Sequence, residues 1–181
     1  MKKGLMVFSN NMEDGEALFT RALLVRGGLQ IDTVSIGDKE VKTSYGLYVK
    51  ADYTLEEINL DTYEFLIVPG GKYVAEIIYE NKSIGKLIQD FYKKQRLVTA
   101  ICAGPRFLGL QGLLDNKQYT AYPGSEKDVK NGIYLGNLKV VKDGNVITGR
   151  SAGAVYEFAY EILKDQLGEE AAEKMYKSII Y

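Results

Sequence analysis

The sequence has no histidine, no tryptophan, one cysteine and three prolines in 181 residues. Without histidine the usual zinc and haem ligand sets cannot be assembled within one chain, and neither can a Ser-His-Asp or Cys-His relay. A lone cysteine excludes an intramolecular disulfide framework. Charge of one sign is also missing: 23 Lys and Arg face 24 Asp and Glu, so no uniform field draws the chain to nucleic acid or to an anionic membrane. The apolar run Leu5-Met6-Val7-Phe8 that follows the basic start is too short for a signal peptide, and no segment approaches transmembrane length. These absences predict a cytoplasmic protein acting on small molecules, with no nucleic-acid or membrane partner and no metal. Chemistry is left to carboxylates, tyrosines, backbone dipoles and Cys102.

What is present reads as one α/β domain spanning residues 1–181, long enough to bury a sizeable core. Apolar runs at Lys3 to Phe8, Leu29 to Ile36, Tyr63 to Val68 and Leu97 to Ile101 predict buried strands. Between them Leu18, Phe19, Ala22 and Leu23, and then Ile84, Leu87, Ile88 and Phe91, recur at helical spacing. Val41 to Asp52 reads as a short hairpin around Tyr45-Gly46. Two further strands are expected near Leu138 to Val141 and Val146 to Thr148, then a helix through Val155, Phe158, Ala159, Ile162 and Leu163, and a closing helix from Glu169 to Ile179. Strands alternating with helices argue for a mainly parallel sheet covered on both faces, because parallel neighbours need a crossover connection. The expected form is a flavodoxin-like three-layer α/β/α sandwich.

Within that frame Thr99-Ala100-Ile101-Cys102-Ala103-Gly104-Pro105 runs a hydrophobic strand into a cysteine and then opens a helix, with proline near its first turn. This is the outline of a nucleophile elbow at the carboxyl edge of the sheet, where open α/β sheets bind ligands. The helix N-terminus favours an anion and is expected to lower the thiol pKa. The plainer alternative for Cys102 is a small core hydrophobe, but that role does not call for a strand, cysteine, glycine and proline in this order.

The string Ala100-Ile101-Cys102-Ala103-Gly104-Pro105, with Val68-Pro69-Gly70-Gly71 upstream, resembles the DJ-1/PfpI (ThiJ) family, in particular its DJ-1-like branch. Asn11-Met12-Glu13-Asp14-Gly15-Glu16, Asn131-Gly132 and Thr148-Gly149-Arg150-Ser151-Ala152-Gly153 extend the resemblance over nearly the whole chain. It implies that Glu16 sits against the cysteine and, when protonated, hydrogen-bonds its thiolate or its oxidised oxygens; a first-turn glutamate complementing the helix dipole is the alternative. It also implies an oxyanion pocket from the amides of Gly71 and Ala103, beside Gly70, although Gly-Gly after a strand equally suits a tight turn. Where the DJ-1-like branch has a histidine before a proline, this chain has Tyr122-Pro123. Tyrosine, with a reference pKa near 10, is a poor general base, so Cys-His proteolysis is disfavoured and Tyr122 is at most a hydrogen-bond donor. Arg106 and Arg150 could bring a guanidinium to a carboxylate or an oxidised cysteine, or serve solvation or dimer contacts.

The resemblance thus implies a cofactor-independent glyoxalase or deglycase acting on α-oxoaldehydes such as methylglyoxal, in a homodimer, with Cys102 and Glu16 catalytic. The alternatives are an oxidative-stress sensor whose Cys102 becomes sulfinic acid on meeting an oxidant, or a chaperone-like scaffold with no turnover.

Overall fold

A computed structural model describes residues 2–181. Strand β1 (Lys3–Phe8) runs into a π-helical turn, Gly15–Phe19, that continues as α1 (Thr20–Arg26) and leads to β2 (Gln30–Ser35). The hairpin β3 (Glu40–Lys42) and β4 (Tyr48–Lys50) follows, then the short β5 (Tyr53–Thr54), β6 (Phe65–Val68), α2 (Tyr73–Ile77), α3 (Ser83–Lys93) and β7 (Leu97–Ile101). After α4 (Pro105–Leu110) come β8 (Gln118–Tyr119), β9 (Ile133–Tyr134), β10 (Val140–Asp143), β11 (Val146–Gly149), α5 (Val155–Leu167) and α6 (Glu169–Ser178).

The main sheet has seven strands in the order β10-β11-β7-β6-β1-β2-β5, parallel throughout except for the antiparallel β10–β11 pair. All of β6 and β7 is buried, as expected for central strands covered on both faces. From β1 the chain steps one way to β2, and from β6 it steps the other way to β7. Right-handed crossovers therefore place α1 and α3 on opposite faces. Helix α5 packs with α1 and carries α6, and α4 packs with α3, completing the expected α/β/α sandwich. The reversal opens a crevice between the carboxyl ends of β1 and β6.

Local sequence explains most elements. Helix α3 buries Ile84, Leu87, Ile88 and Phe91, and the Asn81 side chain accepts the Ser83 amide at 2.8 Å to start it. Two sequence expectations need correction. The third core strand begins at Phe65; Tyr63 ends a 3₁₀ turn and donates its hydroxyl to Asp32 at 2.9 Å. On the first helix Phe19 and Ala22 face solvent, while Glu16, Ala17, Thr20, Leu23 and Leu24 point inward. The wide π turn rotates the register there, bringing Glu16 under the face that a regular helix would have filled with Phe19.

Candidate active site

Cys102 stands where β7 ends, at the left-handed φ of 62°. Few non-glycine residues adopt that conformation, and those that do cluster at functional sites. Two bonds hold it: its amide donates to the Gly149 carbonyl at 2.9 Å and its carbonyl accepts the Tyr122 amide at 2.9 Å. Gly104 closes the elbow. A Cβ there would lie 2.6 Å from the Val68 carbonyl oxygen, so no larger residue lets α4 start this close to β6.

Glu16 reaches the elbow from the π turn and is 1% exposed. The Gly70 amide donates to its Oε2 at 3.0 Å, and its side chain hydrogen-bonds the Cys102 thiol. Burial pushes the Glu16 carboxyl up to about 7, with Glu13 adding to the rise, while the bonds from Cys102, Gly70 and Ala152 oppose it. The Cys102 thiol lies well above its ordinary value, first because it is buried and then because the Glu16 charge and hydrogen bond keep its proton in place; the Ala103 amide pulls the other way. This reverses the expected depression of the thiol. Helix α4 has only six residues, and its dipole loses to burial and an adjacent carboxylate. The charge on Glu16 and the proton on Cys102 therefore depend on each other.

Around them is a cavity of about 500 Å³ lined by Glu13, Glu16, Ser44, Tyr45, Gly71, Lys72, Cys102, Ala103, Tyr122, Ser151, Ala152 and Gly153. Gly71 has φ 125°, and a Cβ on it would meet the Asn11 oxygen and Glu13 nitrogen at 2.5 Å. Its place is fixed by a bridge to Met12, with the Glu13 amide bonded to the Gly70 carbonyl at 3.0 Å. Among the described residues the Gly71 amide donates to no protein acceptor, which leaves it free for a ligand oxygen. A slightly larger cavity, about 560 Å³, lies between α3 and α4 beside Tyr79 and Phe107 and is lined by no cysteine or carboxylate.

The expected site residues divide into two groups. Cys102, Glu16, Gly71, Ala103 and Tyr122 line one cavity, with the exposed Tyr122 ring on its wall. Gly70 is spent on Glu16 and not on a substrate oxyanion. Arg106 is corrected outright: it is 6% exposed and pairs with Asp128, which also accepts the Tyr79 hydroxyl at 2.7 Å. Arg150 donates to the Asn137 carbonyl at 3.2 Å and does not reach the cavity. The sequence reading missed the hairpin tip: Thr43 donates to Asp14 at 2.7 Å and Ser44 to the Asn11 carbonyl at 2.7 Å, setting Ser44 and Tyr45 against the loop that leads to Glu16. An Asp-Gly pair with hydroxyl residues some thirty positions on was the available signal. Among the described residues no group of three or more Cys, Asp or Glu side chains could hold a metal, and no helix is long and apolar enough to cross a membrane.

The model of the DJ-1/PfpI family matches residues 2–165. The chain belongs to the DJ-1/PfpI family. Among its DJ-1/PfpI relatives, Protein dj-1beta of Drosophila melanogaster is 29% identical over 99% of this chain and 97% of its own length. The crystal structure of that DJ-1beta superposes with a TM-score of 0.92 over 99% of this chain and 97% of the other. A glutathione-independent glyoxalase, DJR-1.2 of Caenorhabditis elegans, is 31% identical over 92% of this chain and 89% of its own. A third relative, the deglycase PfpI of Pyrococcus furiosus, is 28% identical over 90% of this chain and 98% of its own.

Proposed function

We propose that this DJ-1/PfpI protein is a cofactor-independent, cysteine-dependent enzyme for small α-oxoaldehydes or their adducts. One observation carries the reading: a thiol at a left-handed elbow hydrogen-bonded to a buried carboxyl whose pKa is about 7. A carboxyl tuned that close to neutrality can accept and return a proton in the same cycle, the work that histidine does elsewhere.

The Glu16 carboxylate takes the thiol proton as Sγ of Cys102 forms a bond to the aldehyde carbon. The carbonyl π pair moves to oxygen, which rests on the Gly71 and Ala103 amides and regains the proton from Glu16, giving a hemithioacetal. Glu16 can then remove the hydrogen from that carbon. Its return to the neighbouring ketone carbon, with the hemithioacetal hydroxyl proton passing to the ketone oxygen, gives a thioester of a 2-hydroxy acid, which water cleaves to release acid and thiol. Atoms and electrons balance with water alone. The names of the glyoxalase and deglycase relatives support this substrate class.

The test is consumption of methylglyoxal by purified protein in thiol-free buffer. Cys102→Ser is expected to lose it by at least about a hundredfold; unchanged consumption would falsify the reading.

A second reading has its own support. A neutral Glu16 and the Ala103 amide are hydrogen-bond donors at the sulfur, an arrangement that would hold a sulfinate formed by a peroxide. A two-oxygen mass gain confined to Cys102, in protein that consumes no aldehyde, would favour this sensor role.

A further inference from the structure

Tyr73 opens α2 directly after Gly70, Gly71 and Lys72, and it is 1% exposed. Its hydroxyl donates to the Pro69 carbonyl at 2.7 Å, and its ring lies against Phe107 with centroids 5.9 Å apart. No backbone amide among the described residues serves that carbonyl. The turn it caps does two things at the site: Gly70 gives its amide to Glu16 at 3.0 Å, and Gly71 stands on the cavity wall with backbone of Asn11 to Glu13 packed against it. Burial, and then the charges of Glu16 and Cys102, keep the phenol protonated, so it remains a donor through the working pH range.

We propose that Tyr73 is a positioning residue: its buried hydroxyl fixes the Pro69-Gly70-Gly71 turn and thereby keeps the Gly70 amide on Glu16. Without that hydroxyl the Pro69 carbonyl is left buried and unserved, and the turn moves to find another partner. The Gly70 bond to Glu16 lengthens, the carboxylate loses a donor, and the proton exchange between Glu16 and Cys102 falls out of tune. The groups facing the Glu16 carboxyl are Cys102, Glu13 and Tyr73, with Lys72, Tyr45 and Tyr122 around the cavity.

The inference deepens the aldehyde reading but has a readout that does not depend on turnover. In Tyr73→Phe, the Glu16 titration followed by carboxyl carbon NMR is expected to move up by about half a unit to one unit, and aldehyde consumption to fall about tenfold. Phe107→Leu, which disturbs packing but leaves the hydroxyl in place, should leave the midpoint unmoved. A Tyr73→Phe protein that melts earlier but titrates as wild type would show a merely structural residue and overturn the proposal. If Tyr73→Phe does not fold, 3-fluorotyrosine at position 73 alone keeps the ring and strengthens the donor; the midpoint then moves down, and an unmoved one overturns the proposal. A shifted midpoint in a protein that never consumes aldehyde sinks the enzymatic reading and leaves the positioning role standing.

Discussion

Gly70 and Glu16 fit each other by omission: the Gly70 amide meets Oε2 of Glu16 at 3.0 Å, and a Cβ on Gly70 would stand 2.5 Å from that same oxygen. The missing side chain is what lets a buried carboxylate lie flat against the turn and reach the thiol. The same Cβ would also crowd Cys102 Cβ at 2.8 Å and the Ala103 nitrogen at 3.0 Å.

Gly70→Ala should therefore displace Glu16 from the sulfur. Overpacking of this kind costs about 1–3 kcal/mol, and loss of the proton partner should lower aldehyde consumption by about a hundredfold. Urea denaturation and a turnover assay on the folded variant check the two parts separately.

Glu16 makes stability depend on pH. Its folded value, about 7, exceeds the reference 4.5, so the native state holds a proton that the unfolded chain has already released. Its contribution is full below about 4.5 and is lost as pH rises through about 7, a span of roughly 3 kcal/mol. Glu16→Gln removes the titration. Its Tm should exceed that of wild type by more at pH 8 than at pH 5; equal differences at both would show that the carboxyl is not raised.

The same substitution should separate thiol ionisation from turnover. The Glu16 carboxylate is one of the influences holding the Cys102 thiol up, so Glu16→Gln is expected to shift the pH profile of iodoacetamide alkylation downward. Wild type should alkylate more slowly at pH 7 than a free thiol, since the thiolate is the reacting form. Aldehyde consumption should nevertheless collapse in the glutamine variant, which can no longer move the proton.

Arg106 belongs to the scaffold. Removing one partner of a buried ion pair strands the other, at a cost of about 3–5 kcal/mol, so Arg106→Met should unfold at markedly lower urea. Protein that remains folded should keep its KM for methylglyoxal. A raised KM with unchanged stability would return Arg106 to the substrate site.

Tyr122 offers its backbone to Cys102 and its exposed ring to the cavity. Tyr122→Phe should leave kcat within about twofold, because Glu16 and not the exposed Tyr122 hydroxyl is bonded to the thiol. Tyr122→His places a group titrating near neutrality on the same wall and should raise kcat by about tenfold or more. An unchanged kcat would mean that Glu16 alone already supplies protons faster than the rest of the cycle needs them.

The parts of the fold legible in the sequence were those fixed by local chemistry. Strand β6 is a continuous apolar run and β7 is interrupted only by Thr99, because both faces are buried, and the elbow at Cys102 announces itself through Gly104 and Pro105. Glu16 was reached through the resemblance, since helical periodicity alone would have turned Phe19 inward, and only the π turn reverses that. The thiol's direction of shift was misjudged because a helix start is visible in sequence whereas burial and the approach of Glu16, eighty-six positions away, are not. Arg106 misled for a related reason: four residues from Cys102 in sequence, it turns on α4 toward Asp128. Strand β5, the β8–β9 pair and the hairpin contacts with Asn11 and Asp14 depend on segments too short to carry a pattern.

The left-handed backbone at Cys102 has a consequence for how the sequence can drift. Any L-residue there is strained by roughly 1–2 kcal/mol, and glycine would relieve it, so folding alone pulls the position toward a residue with no side chain. A thiol persists at φ 62° against that pull. Cys102 is thus a site where gain in stability and loss of reactivity lie in the same substitution, and a lineage released from the need for the sulfur would be expected to show it there first.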